Sequence, residues 1–152
     1  MNNRLVNITT DVIAALFILL FLYTGLSKIY DHKHFEVMLG KSPLLTKFSS
    51  VISWAIPIIE CHIVFLLFFK GTRFLGLWAA FVLMSMFTIY IAYMLTYTPE
   101  LPCSCGGVLK QLNWKEHMLF NIGFTLLAFL AIMLHIVNNR NFKNKNIVAQ
   151  SG

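Results

Sequence analysis

Four long stretches of this sequence are almost free of charge, and each is long enough to cross a membrane as a helix. Residues 12–27, 74–99 and 117–139 contain no acidic residue, lysine or arginine, and residues 48–69 contain only Glu60. A helix of about 20 apolar residues spans the ~30 Å hydrocarbon core of a bilayer. Because 58% of the residues are hydrophobic and only 12% are charged, an ordinary soluble domain is excluded. The sequence predicts an all-α fold, an integral membrane four-helix bundle.

The predicted membrane domain occupies residues 1–137, and a basic, asparagine-rich tail follows it at residues 138–152. We expect this tail to be disordered and cytoplasmic, because it has little apolar surface to bury. The first apolar stretch is too long for a secretory signal and no small-residue cleavage site follows it, so we expect it to remain as an anchor. Residues His32–Leu39 are expected to form a short interfacial helix between the first two spans. The predicted spans are about 11–30, 50–69, 74–97 and 116–137.

The basic residues predict how the bundle is oriented in the membrane. The net charge is +6, but the lysines and arginines lie in the loops and tails beside the spans, which is typical of membrane orientation and not of nucleic-acid binding. The number of lysines and arginines is equal on the two predicted sides of the membrane. The clusters are denser around the turn between Lys70 and Arg73 and in the C-terminal tail. We therefore predict a protein of the bacterial inner membrane with both termini in the cytoplasm and the connection between the third and fourth spans outside.

That outer connection holds two of the three cysteines, Cys103 and Cys105, in the motif Pro-Cys-Ser-Cys-Gly-Gly. A disulfide between them would close a very small ring, which departs from relaxed geometry and is easily reduced. Closing so short a loop would also remove almost no entropy from the unfolded chain. Thiol–disulfide exchange is therefore the favoured use. The alternatives are two unremarkable thiols, or a metal site completed by His117, which is disfavoured because zinc sites usually have four ligands at wider spacings.

Glu60 is the one acidic residue in the interior of a predicted span, since Asp11 and Glu116 stand at span ends. It lies about ten residues from Lys70, which puts it roughly 15 Å deep at 1.5 Å per residue. An ionisable group at that depth is a candidate functional residue, although a protonated structural glutamate is the alternative. We expect Glu60 to be protonated and held by polar groups at a similar depth, such as Tyr23, Thr24 and Asn121.

Polar side chains also follow one face of the fourth span. They recur every four residues and should face the interior of the bundle, beneath the cysteine segment: Asn113, His117, Asn121 and Thr125. A charged His117 one turn into this helix would favour the thiolate form of a nearby cysteine, and an interfacial histidine without that role is the alternative. In the first span, Lys28 shares a face with Thr24 and should point into the bundle or lie at the interface.

Taken together, these features resemble the MauE/DoxX-like membrane proteins, and most closely the MauE branch of methylamine utilisation. The resemblance covers nearly the whole chain to about Leu134, and the Cys-x-Cys-x-Gly motif is its most specific part. It implies thiol redox work outside the membrane that supports maturation of a methylamine dehydrogenase subunit, together with a thioredoxin-fold partner of the TlpA or MauD type. It also implies that Cys103 and Cys105 are the redox pair, whereas Cys61 matches no family position.

The distribution of cysteines limits where the electrons can go. The predicted cytoplasmic side has no cysteine, so the chain alone cannot relay electrons across the membrane by thiol exchange. The electrons must pass to another protein or to a membrane carrier such as a quinone. The favoured hypothesis is a membrane component of a thiol–disulfide oxidoreductase system, and the alternatives are a non-catalytic docking partner for a thioredoxin-fold protein and a small metal or solute carrier. The residues predicted to support the cysteines are Lys28, Glu60, His117 and Asn121.

Overall fold

The computed structural model describes residues 3–42, 45–97 and 114–150. The segment with Cys103 and Cys105 lies outside these ranges, and so does Asn113.

Five α-helices and one short 3₁₀ helix make up the described part of the chain, which contains no strand. Four of the helices are long and apolar enough to cross a membrane, so the predicted all-α bundle of four spans is confirmed. The 3₁₀ helix, Thr46–Phe48, leads directly into the second span. The α-helices are α1 (Asn3–Tyr30), α2 (His32–Gly40), α3 (Ser49–Phe68), α4 (Arg73–Tyr97) and α5 (Trp114–Gln150).

Two helices are longer than expected. The first begins at Asn3, ahead of the predicted start at residue 11, and α5 continues to Gln150 through most of the tail expected to be disordered. Neither extension contains a proline or glycine, so nothing in the local sequence forces the helix to end where the apolar stretch ends. Both helices therefore extend beyond the apolar stretches on which the span predictions were based.

The spans pack mainly as two pairs, α1 against α3 and α4 against α5. Apolar side chains from all four spans meet in one core, while many other large apolar side chains are exposed on the outside, as expected where the surroundings are lipid. The buried core includes Phe17, Phe21, Ile63, Leu67, Leu77, Met84 and Ile132.

The connections place one set of helix ends around α2. The chain reverses direction between successive spans, so α1 and α4 finish, and α3 and α5 begin, at the same end, which we call the α2 end. The short α2 buries Phe35 and Leu39 and packs chiefly on α3. At the opposite end, Arg73 at the start of α4 forms an ion pair with Asp11 of α1. The segment that carries the cysteines joins Tyr97 to Trp114, and both of these residues belong to the α2 end.

Candidate functional site

Lys28 and Glu60 form an ion pair inside the bundle. Lys28 lies in the last turn of α1, and its Nζ donates a hydrogen bond to Oε1 of Glu60 on α3 over 2.6 Å. The two side chains are only 4% and 1% exposed. The Lys28 ammonium also lies 5.9 Å from the ring centre of Phe35 and 5.8 Å from that of Phe87, distances at which a cation is attracted to an aromatic face. This lysine thus contacts residues of three other helices.

Gly25 allows α1 to approach α3 beside this ion pair. A Cβ atom at Gly25 would lie 3.4 Å from Oε2 of Glu60 and 3.7 Å from Sγ of Cys61. A larger side chain would occupy the space in which the Glu60 carboxylate lies, and small residues are common where membrane helices pack closely. Cys61 is partly buried and packs in the α1–α3 interface.

Two buried polar atoms near the ion pair have no hydrogen-bond partner among the described residues: Oε2 of Glu60 and Oγ1 of Thr24. Thr24 precedes Lys28 by one turn of α1. Its hydroxyl is close enough to act on the Glu60 carboxylate as a donor, but no hydrogen bond of ordinary geometry joins them. Both atoms are almost fully buried, so the Thr24 hydroxyl and the Glu60 carboxylate act on each other inside the packed bundle.

The predicted polar face of α5 does lie toward the interior. His117 and Asn121 are both 3% exposed, and Thr125 is partly buried. Their hydrogen bonds run along the helix: Nδ2 of Asn121 donates to the His117 carbonyl over 3.0 Å, and Oγ1 of Thr125 donates to the Asn121 carbonyl over 2.8 Å. Thr125 also lies 3.4 Å from Oγ1 of Thr88 on α4. The side chains of His117 and Asn121 therefore face the same interior as Lys28 and Glu60.

The main partner of Glu60 was not among the residues expected. Tyr23, Thr24 and Asn121 were expected to hold a protonated Glu60; Thr24 does act on the carboxylate, but Tyr23 is 45% exposed and Lys28 makes the short hydrogen bond. An ammonium offers only donors, so the carboxylate accepts in this contact. The sequence placed Lys28 on an inward or interfacial face, which was the available signal, but it did not predict the pairing.

These polar groups lie at the edge of a cavity of about 380 Å³ at the α2 end of the bundle. Its volume falls in the range of small-molecule pockets, roughly 300–1,000 Å³. Most of its wall is aliphatic and aromatic, and all five α-helices contribute to it. Sequence reasoning did not predict this cavity. Its polar lining residues are Thr24, Lys28, Glu60, Tyr90, His117 and Asn121.

The cavity lies close to the ends of the cysteine segment. Tyr90 and Ile91 line it within two turns of Tyr97, and His117 lines it one turn after Trp114. In the described ranges of the chain, no group of three or more histidine, cysteine, aspartate or glutamate residues could hold a metal ion. Cys103 and Cys105 lie outside those ranges, so their placement relative to the cavity remains a prediction.

Comparison with known proteins identified a family. The sequence profile of the family Methylamine utilisation protein MauE matches residues 6–134, which agrees with the extent of the resemblance expected from the motifs. No curated protein and no solved structure matches the chain.

Proposed function

This chain belongs to the MauE family of methylamine-utilisation membrane proteins, and from that premise we propose that it is the membrane component of an extracytoplasmic thiol–disulfide redox system. Cys103 and Cys105 exchange electrons with a thioredoxin-fold partner, in support of the maturation of exported proteins such as a methylamine dehydrogenase subunit. Both termini lie in the cytoplasm of a bacterial inner-membrane protein, and the cysteine segment lies outside. The observation that carries the proposal is the Cys-x-Cys pair, placed between two membrane spans and joined to the helix ends beside the cavity.

The exchange requires two thiols and a partner disulfide. The thiolate of one cysteine attacks the partner disulfide and forms a mixed disulfide, and the partner's other sulfur leaves as a thiolate. The second cysteine then attacks the mixed disulfide, which leaves a Cys103–Cys105 disulfide and a partner dithiol. In this direction two electrons pass from the two cysteines to the partner. The same steps in reverse oxidise the partner dithiol and reduce the Cys103–Cys105 disulfide.

The start of α5 supports the thiolate form that this chemistry needs. The motif precedes that helix in sequence, and the unpaired N–H groups and macrodipole of a helix N-terminus stabilise a negative charge that comes within about one turn of it. Lys115 and His117 lie in the first turns of the helix. His117, Lys28, Glu60 and Asn121 act in support, because they fix the packing of α1, α3 and α5 beneath the segment.

Single cysteine variants test the proposal. In cells that produce the thioredoxin-fold partner, Cys103→Ser or Cys105→Ser should abolish maturation of the partner's substrate without loss of the membrane-inserted protein. One of the two variants should accumulate a mixed disulfide with the partner, detected as a reductant-sensitive band after acid trapping of thiols. Cys61→Ser is the matched control and should behave as the wild type.

A double Cys103→Ser/Cys105→Ser variant that still supports maturation would overturn the exchange mechanism. The protein would then act as a docking partner that positions a thioredoxin-fold protein without exchanging thiols with it.

A further inference from the structure

His62 is an ionisable residue on the outside of the bundle, within the second span. It follows Glu60 by two residues, which turns it by about 200° around the axis of α3, away from the buried face. The side chain of His62 is exposed, whereas Glu60 is buried and paired with Lys28. His62 lies six residues before the end of α3 at Phe68, hence about 9 Å inside that end at 1.5 Å per residue. Its imidazole therefore lies on a part of the surface that faces hydrocarbon.

This imidazole has no polar partner within one copy of the chain. His62 forms no hydrogen bond, ion pair or ring contact with another residue of the described ranges. Its neighbours on the same side of α3 are large, apolar and exposed: Ile58, Phe65 and Phe69. We call these four residues the His62 face. None of them lines the cavity at the α2 end.

A histidine in this position calls for another protein helix. The side chain is too short to bring its ring from this depth to the water at the membrane surface, and unpaired N–H and N groups in hydrocarbon are costly. Histidines within spans almost always face the interior of a bundle, and they form hydrogen bonds between packed helices. A lipid acyl chain against the His62 face would offer no such bond.

We propose that the His62 face is the interface of a parallel homodimer, in which it packs against the same face of a second copy. Two copies inserted with the same orientation are related by a two-fold axis along the membrane normal, so equal residues meet at equal depth. His62 of one copy therefore meets His62 of the other. A neutral imidazole carries one N–H donor and one acceptor nitrogen, so one ring donates to the other and no further residue is needed.

The charges of α3 also suit a second copy. No acidic residue, lysine or arginine lies between Glu60 and Lys70, and Glu60 faces the interior. Two His62 faces therefore meet without like charges opposite each other. An unrelated membrane protein would need a polar group at this one depth, which the second copy supplies by symmetry.

Disulfide cross-linking in native membranes locates the interface. In the full-length protein with its three native cysteines replaced by serine, Ile58→Cys places a thiol one turn from His62 on the same face. Mild oxidation should give a product of about twice 17.4 kDa that contains two differently tagged copies. Leu126→Cys on α5 is the matched control, because Leu126 is 63% exposed and Ile58 is 62% exposed, and both lie near the middle of a span. It should give only background cross-linking.

Variants of His62 test the hydrogen bond. The dissociation constant of the dimer is measured by energy transfer between fluorescent proteins fused to the C-terminus, as membrane-inserted protein is diluted in liposomes. His62→Leu should raise this constant roughly three- to thirtyfold, the range expected for one hydrogen bond between membrane helices. His62→Gln keeps a donor and an acceptor in one side chain and should retain most of the dimer.

The dimer is overturned if Ile58→Cys and Leu126→Cys cross-link equally, or if neither does. A cross-linked product that never contains both tags would show that a different protein covers the His62 face, which also contradicts the dimer. An unchanged dissociation constant in His62→Leu, or an equal loss in His62→Gln, would exclude the paired imidazoles. These outcomes do not depend on the proposed thiol exchange, because the cross-linked protein lacks Cys103 and Cys105.

Discussion

Lys28 Nζ lies 2.6 Å from Oε1 of Glu60, and both side chains are buried where α1 crosses α3. Neither charge would be stable at this depth alone, because an isolated ion in an apolar environment is very costly. Together they favour one depth and one rotation of α1 against α3. The close approach at Gly25 brings the two backbones near enough for the pair to form.

A double-mutant cycle should reveal that each of these two buried charges depends on the other for its stability. Lys28→Met and Glu60→Met should each destabilise the bundle by about 3–5 kcal/mol, because each leaves one buried charge without its partner. The double variant should lose less than either single variant, since two apolar side chains remove both charges. The free energy of unfolding in mixed micelles measures these differences.

The exposed ion pair between Asp11 and Arg73 is the matched control. Asp11 is 52% exposed, so Asp11→Asn should cost about 0–1 kcal/mol, as is usual for surface pairs. If the single variants at Lys28 and Glu60 were as mild as Asp11→Asn, the buried pair would not determine how α1 and α3 pack.

Gly76 at the beginning of α4 should tolerate no side chain. A Cβ atom there would lie 2.9 Å from the backbone nitrogen of Leu67, so the ends of α3 and α4 would have to separate. We expect Gly76→Ala to destabilise the protein by roughly 1–3 kcal/mol, as overpacking does. Thermal unfolding of the purified protein measures the change.

Gly123 is the control for Gly76. A Cβ atom at Gly123 would meet nothing within 4 Å, so Gly123→Ala should be neutral or raise stability by about 0.5–1 kcal/mol, because alanine is the better helix former. A stabilising effect of Gly76→Ala would show that the turn between α3 and α4 can relax at little cost.

Sequence patterns predicted the spans and the inward faces because both depend on local periodicity. The absence of charge marks each span, and a spacing of four residues identifies His117, Asn121 and Thr125 as one face of α5. The same spacing predicted that Lys28 and Thr24 point into the bundle, although an interfacial position remained an alternative for Lys28.

The ion pair and the cavity could not be predicted from sequence periodicity, because they depend on how different helices pack together. Whether Lys28 reaches Glu60 depends on the depth and rotation of α1 against α3, which are set in part by the missing side chain at Gly25. The 380 Å³ cavity is likewise a property of the packed bundle, since helices from different parts of the chain enclose it. Neither feature has a signature within a single helix.

The predicted orientation can be checked by thiol labelling in a Cys61→Ser background, which leaves only Cys103 and Cys105. A membrane-impermeant maleimide should label these cysteines in intact cells after mild reduction, because the denser basic clusters predict that their segment lies outside. Labelling only after lysis would place the cysteines in the cytoplasm, where disulfides rarely persist. The triple variant without cysteines should remain unlabelled in both conditions.

The redox potential of the cysteine pair is the most direct test of its chemistry. A ring that contains only Cys103, Ser104 and Cys105 departs from relaxed disulfide geometry, so the disulfide should be easier to reduce than a structural one. We expect a midpoint above about −300 mV, within the range of roughly −270 to −120 mV found for thiol oxidoreductases. Equilibration of the Cys61→Ser protein in glutathione buffers of defined ratio, followed by acid quenching and maleimide labelling, gives this potential. A midpoint below about −300 mV would identify a structural disulfide and exclude the pair from exchange.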